Sequence, residues 1–395
     1  MENTVKIILK KGKEQAVKRL HPWIFSGAIW KIIGSPKEGD MVEVLSHQEE
    51  ILAFGHYQVG SIAVRIFSFR QVEPDIRFWY QKIERAYQLR KDLGLADNSG
   101  TNVYRLVNAE GDGMPGLVID YYNGIAVLQM HSIGMYKIRS ILMENLRELY
   151  GNKLISVFDK SESTIPEKAG LDVKNEFLWG GSSQITVSEN HFSFHVDVKE
   201  GQKTGFFIDQ RENRNLLSSY CAGKTVLNIF CYTGGFSVYA VKGHADSVHS
   251  VDSSISAIEM TDRNVALNTT LAGIHRSFCT DAFIFLRDVT EKYDIIILDP
   301  PAFAKHQNAL GNALQAYKRI NQLAIEQLNP GGMLFTFSCS QVVSRDNFRK
   351  SVFAAAANTG RSAGILHQLT QPADHPVSIY HPEGEYLKGL VLYVN

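Results

Sequence analysis

The four cysteines of this 395-residue chain (Cys221, Cys231, Cys279 and Cys339) lie far apart, and none belongs to a Cys-x-x-Cys pair. That spacing excludes the common zinc ligand sets, so no metal site is expected. A disulfide framework is not expected in a chain this long, and reduced cytoplasmic thiols are the simpler reading. Net charge is missing too: 41 Lys and Arg balance 41 Asp and Glu. Any surface for a polyanion must therefore come from local clusters rather than from a basic chain. No apolar run approaches membrane-spanning length, and the N-terminus lacks the apolar core of a secretion signal, so no membrane partner is expected. Internal repeats and low-complexity segments are absent as well. What is present is a globular composition, 44% hydrophobic and 21% charged, in a chain too long for one core. Two or three domains follow as the expectation.

Three regions differ in pattern. Residues 1–70 read as short strands separated by turns (Val5 to Leu9, Val42 to Val44, Ile51 to Tyr57, Ile62 to Phe69), with no long helical period, which suggests a small β-barrel. Lys10, Lys11, Lys13, Lys18 and Arg19 precede His21-Pro22-Trp23-Ile24-Phe25-Ser26-Gly27. A basic edge beside aromatics suits a nucleic-acid backbone, and a solvated charged face is the alternative. Residues 71–190 read as a central α+β domain. It has a helix from Ile76 to Leu93, a turn cluster from Glu110 to Gly116, a hairpin about Asn123-Gly124, a helix from Met135 to Tyr150 and a strand from Leu154 to Asp159. Glu110 and Asp112 read there as structural turn carboxylates. Residues 191–395 alternate strand and helix, and the strands are continuously apolar. That pattern predicts a doubly wound, mostly parallel sheet of Rossmann type, whose last two strands are joined without a helix and so can pair antiparallel.

In such a sheet ligands bind at the carboxyl ends of the strands. Thr225 to Phe236 is a buried strand feeding a turn with Gly234 and Gly235 and then a helix. Polar residues recur at successive strand ends: Asn228 and Tyr232, Asp252, Asp281, Asp299, and Ser338-Cys339-Ser340. Any one of them alone reads as a helix cap. The series points to a nucleoside-bearing ligand, with Asp252 on a ribose and Asp281 near an adenine amino group. Asp299-Pro300-Pro301-Ala302-Phe303 is a stiff extended turn that presents the Asp299 carboxylate, with Phe303 able to stack on a planar base. Cys339, at the mouth of the same crevice and before a helix, is the candidate nucleophile. Cys231 reads as packing, and Cys221 and Cys279 as structural.

Phe230-Cys231-Tyr232-Thr233-Gly234-Gly235-Phe236, Asp299-Pro300-Pro301 and Gly205-Phe206-Phe207-Ile208-Asp209-Gln210-Arg211 together resemble class I S-adenosylmethionine-dependent RNA methyltransferases. Within these the chain is similar to the bacterial large-subunit ribosomal RNA methyltransferase I type, which makes 5-methylcytosine. His21 to Gly27 resembles that family's PUA domain, Glu110 to Asp120 its central domain, and Ala373 to Pro376 and Glu385 to Gly389 its C-terminal signature. The resemblance implies a cytoplasmic enzyme acting on RNA, with S-adenosylmethionine as cofactor, and leaves a homodimer open. It implies that Asn228, Tyr232, Gly234 and Gly235 line the methionine end, and that Phe207 and Gln210 close over the cofactor. Cys339 becomes the catalytic thiolate and Asp299 its partner, with Pro300, Phe303 and His375 toward the substrate. Asp374, His375 and Glu385 are candidates for the base that removes the carbon-5 proton. Ala302 follows Pro301 where many RNA cytosine-C5 enzymes carry a second cysteine, so release by a second cysteine is not expected. Three rivals are N-methylation of a purine without a covalent adduct, a non-enzymatic RNA-binding protein with a degenerate methyltransferase fold, and a small-molecule methyltransferase, which the N-terminal barrel with its basic cluster disfavours.

Overall fold

A computed structural model describes residues 5–166, 170–271 and 273–395. The chain forms two compact units: Met1–Val187 with Val196–Ile208 and Ala373–Gly384, and Ser188–His195 with Asp209–Pro372 and Glu385–Asn395.

In the first unit β1 (Val5–Leu9), a short helix α1 (Glu14–Lys18), β2 (Trp23–Phe25), β3 (Ile29–Ile33), β4 (Met41–Leu45), β5 (Ile51–Tyr57) and β6 (Ile62–Ser68) follow one another. The strands pair in the order β2-β6-β5-β4-β1-β3. Ile7, Leu9, Val42, Val44, Val64 and Ile66 fill one core beneath this sheet. Helix α2 (Ile76–Asp92) starts at Asp75, whose carboxylate accepts from the Phe78 N–H at 2.8 Å. It buries Trp79, Ile83, Ala86 and Arg90, one helical face. Strands β7 (Val103–Asn108), β8 (Leu117–Tyr122) and β9 (Ile125–Met130) come next. The β8–β9 hairpin turns through Asn123 and Gly124 with φ of 46° and 104°, the positive pair such a turn demands.

Where the spacing predicts one helix from Met135 to Tyr150, there are two, α3 (Ile133–Lys137) and α4 (Arg139–Tyr150). They part at Ile138, whose N–H reaches back only three residues, to the Met135 carbonyl. Strands β10 (Ser156–Asp159) and β11 (Glu176–Trp179) complete a five-stranded sheet in the order β11-β10-β9-β8-β7, and β12 (Gln184–Glu189) and β13 (Phe192–Asp197) form a separate ribbon.

Buried ion pairs knit this unit. Arg90 grips Asp112 through two hydrogen bonds of 2.6 and 2.8 Å and donates to the Asp374 carbonyl at 2.7 Å. Arg105 grips Asp120 at 2.8 and 3.0 Å. Gly111 has room for no side chain, since a Cβ there would fall 1.8 Å from the Pro376 carbonyl oxygen.

The second unit runs α5 (Arg211–Ser218), β14 (Thr225–Ile229), α6 (Gly235–Lys242), β15 (Ser247–Asp252), α7 (Ile255–Asn268), β16 (His275–Cys279), α8 (Ala282–Asp288), β17 (Tyr293–Leu298), α9 (Leu310–Gln327), β18 (Leu328–Ser338), α10 (Arg345–Thr359), β19 (Ala363–Leu369) and β20 (Lys388–Val394). Its seven strands lie in the order β16-β15-β14-β17-β18-β20-β19. Leu227, Ile229, Ile296, Leu298 and Leu334 are fully buried, each stabilising the sheet by about 1.5–3 kcal/mol. The sheet is mixed rather than simply parallel. The five strands from β16 to β18 pair in parallel, whereas β18–β20 and β20–β19 are antiparallel. The physical reason is the return of β20, without a crossover helix, into the space between β18 and β19. Strand order reverses between β14 and β17, and a crevice opens at the carboxyl ends of the strands at such a switch point. Among the described residues no helix is long and apolar enough to cross a membrane.

Candidate active site

The turn after β14 is backbone under constraint. Phe230 and Tyr232 take φ of 60° and 49°, and Gly234 takes 79°, values that non-glycine residues adopt only where surroundings hold them. Helix α7 does much of the holding. Thr261 Oγ1 donates to the Tyr232 carbonyl and Asn264 Nδ2 to the Thr233 carbonyl, both at 2.8 Å. A Cβ on Gly234 would stand 2.8 Å from Thr261, so the glycine is required for this approach as well as for its φ. Asp252, at the end of β15, accepts from the backbone N–H of Tyr232 at 3.0 Å and of Ser254 at 2.9 Å. Below the turn, Asn228 donates to Ser237 Oγ at 2.9 Å, and its buried carbonyl oxygen Oδ1 has no hydrogen-bond partner among the described residues. Gly235 rests on Arg214, itself clamped to the fully buried Glu189 at 2.9 and 2.8 Å. Asp281 caps α8, its Oδ1 accepting from Phe283 and Ile284.

Asp299 follows β17 directly. Gln210 Nε2 donates to Asp299 Oδ2 at 3.0 Å, and Asn213 Nδ2 in turn fixes Gln210 Oε1 at 2.6 Å. Burial pushes the Asp299 carboxyl up to about 7, and the nearby Asp209 carboxylate adds to the rise, against the hydrogen bond from Gln210 and the charge of Arg214. The group thus holds a proton over much of the near-neutral range. Asp209 is steadied by the Tyr386 hydroxyl at 2.7 Å. Pro300 is buried, and Phe303 lies half-buried against the Tyr317 ring, centroids 4.8 Å apart.

Cys339 sits just past the end of β18, in a turn tied on three sides. Ser338 Oγ donates to the Tyr317 hydroxyl at 2.9 Å, Ser340 Oγ donates to the Ala304 carbonyl at 2.7 Å, and Lys388 Nζ donates to the Ser340 carbonyl at 2.5 Å. The other thiols have different settings. Cys221 and Cys231 are buried, which pushes both thiols up to about 12. Cys279 ends the edge strand β16 and is exposed, and Cys339 is half-buried. Helix α10 begins only at Arg345, capped by Ser344.

Asn228, Tyr232, Gly234, Gly235, Asp252, Asp281, Gln210, Asp299, Pro300, Phe303, Cys339 and Glu385 belong to the second unit, and Phe207, Asp374 and His375 to the first. Phe207 lies on a segment fixed by Thr204, which donates to Asp120 at 2.6 Å. Asp374 is fully buried, accepting from the Arg105 N–H at 3.0 Å and lying 3.1 Å from His375 Nδ1. Glu385 pairs with Arg345 at 3.3 Å. Gln210, expected over the cofactor, directs its amide at Asp299 and Asn213. Sequence reasoning passed over Tyr317, Asn213, Asp209 and Lys388. Asp209 and Lys388 stand inside two of the quoted motifs, and that is the signal that marks them. No group of three or more side chains able to hold a metal occurs among the described residues.

Residues 7–69 match the family of PUA-like domains, and residues 165–380 match the S-adenosylmethionine-dependent methyltransferases. The chain is 40% identical over 394 residues to the ribosomal RNA large subunit methyltransferase I of Aeromonas hydrophila subsp. hydrophila, covering 98% of each. It is 39% identical over 398 residues to the protein of the same name from Erwinia tasmaniensis, covering 99% of this chain and 100% of the relative. Among solved structures, one from Streptococcus mutans, named as a SAM-dependent methyltransferase, superposes with a TM-score of 0.83 at 24% identity, covering 98% of this chain and 99% of that one. At that identity the likeness speaks for the fold.

Proposed function

The chain belongs to the ribosomal RNA large subunit methyltransferase I family of S-adenosylmethionine-dependent enzymes, and from that premise we propose that it methylates carbon 5 of a cytosine in large-subunit rRNA through a covalent bond from Cys339 to carbon 6. Residues 1–70 serve in this reading as the RNA-contacting PUA-like barrel, with the exposed Lys10, Lys11, Lys13, Lys18 and Arg19 toward phosphates. Residues 71–190 form the central domain, and 191–395 the catalytic domain.

The residues around the β14 turn fit S-adenosylmethionine. The unpartnered Asn228 Oδ1 suits the amino group of its methionine part. Asp252 suits the ribose hydroxyls, and Tyr232, Gly234 and Gly235 leave backbone close to the ligand. Asp281 faces the adenine in this reading. When bound, the cofactor supplies an electrophilic methyl group on a sulfonium.

The chain's own residues make cytosine receptive. Carbon 5 is a poor nucleophile. The Cys339 thiolate adds to carbon 6, and the ring electrons become enamine-like at carbon 5. Asp299, protonated near neutral pH, donates to the ring nitrogen that gathers negative charge and so stabilises the adduct. Pro300 and Phe303 hold the base. After methylation the carbon-5 proton leaves to a base, with Glu385 as the candidate within the second unit, and the sulfur is expelled as thiolate.

The observation that carries the reading is the joined position of the two groups. Asp299 and Cys339 follow the adjacent parallel strands β17 and β18, and Ser340 hydrogen-bonds the loop that begins at Asp299. An N-methyltransferase has no use for a thiol there. The test is Cys339→Ser with labelled S-adenosylmethionine and rRNA, the product nucleosides read by mass spectrometry. Loss of 5-methylcytidine with cofactor binding kept is the expected result. Unchanged transfer would replace this reading by N-methylation of a purine.

A further inference from the structure

Lys388 is 7% exposed, and a buried ammonium group needs an anion or several acceptors to offset lost hydration. It stands on β20 directly across from Ser338 in the antiparallel ladder, and its Nζ donates to the carbonyl of Ser340. The lysine therefore brackets Cys339, paired with the residue before it and bonded to the residue after it. Among the described residues it has no carboxylate within ion-pair distance.

The charged and titratable groups that bear on Lys388 are Cys339 from the turn after β18, Arg345 from α10 and Glu385 from the segment leading into β20. Tyr317 on α9 also interacts electrostatically with Cys339. Arg345 and Glu385 pair with each other at 3.3 Å and largely cancel. That leaves the sulfur of Cys339 as the place where an anion compensates the lysine.

We propose that Lys388 is the positioning residue of Cys339, holding the thiol as its thiolate by serving as the fixed counter-charge. The inference rests on the reading of Cys339 as the nucleophile, and it adds what makes that nucleophile available near neutral pH. Its burial also pulls the ammonium down to about 8, while the charge at Cys339 acts in the opposite direction. A guanidinium keeps the charge and a methionine removes it with similar volume, which gives the pair of variants that separate charge from packing.

The test is pH-dependent alkylation of the full-length protein with iodoacetamide, each cysteine followed by peptide mass spectrometry. Cys279, which is exposed, serves as an internal reference thiol. In the wild-type protein the midpoint of Cys339 should lie below that of Cys279. In Lys388→Met it should rise by about one to three pH units, with Cys279 unmoved and cofactor affinity by calorimetry retained. Lys388→Arg should restore most of the shift. A wild-type Cys339 midpoint at or above that of Cys279, or an unmoved midpoint in Lys388→Met, would overturn the proposal. Because no RNA is present, this outcome is independent of the reading beneath it. If Cys339→Ser still methylates RNA, the nucleophile falls. If only the titration is flat, Lys388 alone falls.

Discussion

Buried carboxylates in the two units meet opposite partners. In the first unit Asp112 and Asp120 each face an arginine fork, at 2.6–2.8 Å and 2.8–3.0 Å. In the second, Asp299 faces the amide of Gln210 and has another carboxylate, Asp209, as its electrostatic neighbour. A carboxylate gripped by both arms of a guanidinium serves to join separate segments of the chain. A carboxylate matched to an amide keeps its hydrogen bond without a bonded counter-charge, and burial outweighs the charge of Arg214, so its proton stays available. The difference separates groups that hold the molecule together from a group that can work on a substrate.

The largest effect should come from breaking the first kind. Arg90→Met leaves Asp112 buried without its partner, and urea denaturation should show a loss of about 3–5 kcal/mol. The converse holds for Asp299→Asn. We expect methyl transfer to fall by about 10²–10³-fold with little loss of stability, measured on the same two axes. If Asp299→Asn destabilised as much as Arg90→Met while transfer persisted, the contrast would collapse.

A pH series sharpens it further. The ordinary value for Asp299 is 3.8 and its folded value about 7. Between those limits the folded protein keeps a proton that the unfolded chain has released. Stability should therefore fall as pH rises through that window, and the fall should be shallower in Asp299→Asn. Asp159 is also raised, to about 6, but its contribution is common to both proteins and cancels in the difference. The rate of the wild-type enzyme should decline on the alkaline side of about 7 as the Asp299 proton is lost.

Gln210→Leu is the finer test. It removes the hydrogen bond that lowers the Asp299 carboxyl, so the alkaline limb should move to higher pH, by an amount worth about 1 kcal/mol. The smallest effect belongs to the solvent-facing charges. Lys11→Ala with Lys13→Ala should weaken RNA binding uniformly and reduce the slope of log affinity against log salt by about one per lysine.

Strand and helix positions in the second unit were legible because their apolar runs are long and alternate regularly. Ser247 to Asp252 and Ala282 to Asp288 coincide with β15 and α8. Short or half-exposed strands such as β2, β3 and β11 carried too little pattern to be read. The break at Ile138 was invisible because it interrupts hydrogen bonding without interrupting the apolar spacing. The insertion of β20 between β18 and β19 is a pairing across sequence, and local periodicity holds no record of it. The same limit applies at the site. Asp299 and Cys339 were found because each follows a readable strand. The residues beside them, Gln210 at 89 residues' remove from Asp299 and Lys388 at 48 from Ser340, stand inside quoted motifs, but which side chains they meet leaves no trace in local sequence.

The interior place of β20 also bears on how the sheet is made during synthesis. Strand β19 leaves the ribosome before β20 but has no ladder partner until β20 arrives. Until then β18 and β19 both present open edges, which invite wrong pairing. Closure waits on a contact between distant segments, a slow kind of folding step. Lys388 is the first residue of β20. A nascent chain therefore carries Cys339 without the ammonium that brackets it, and the nucleophile meets its counter-charge only in the act that completes the sheet.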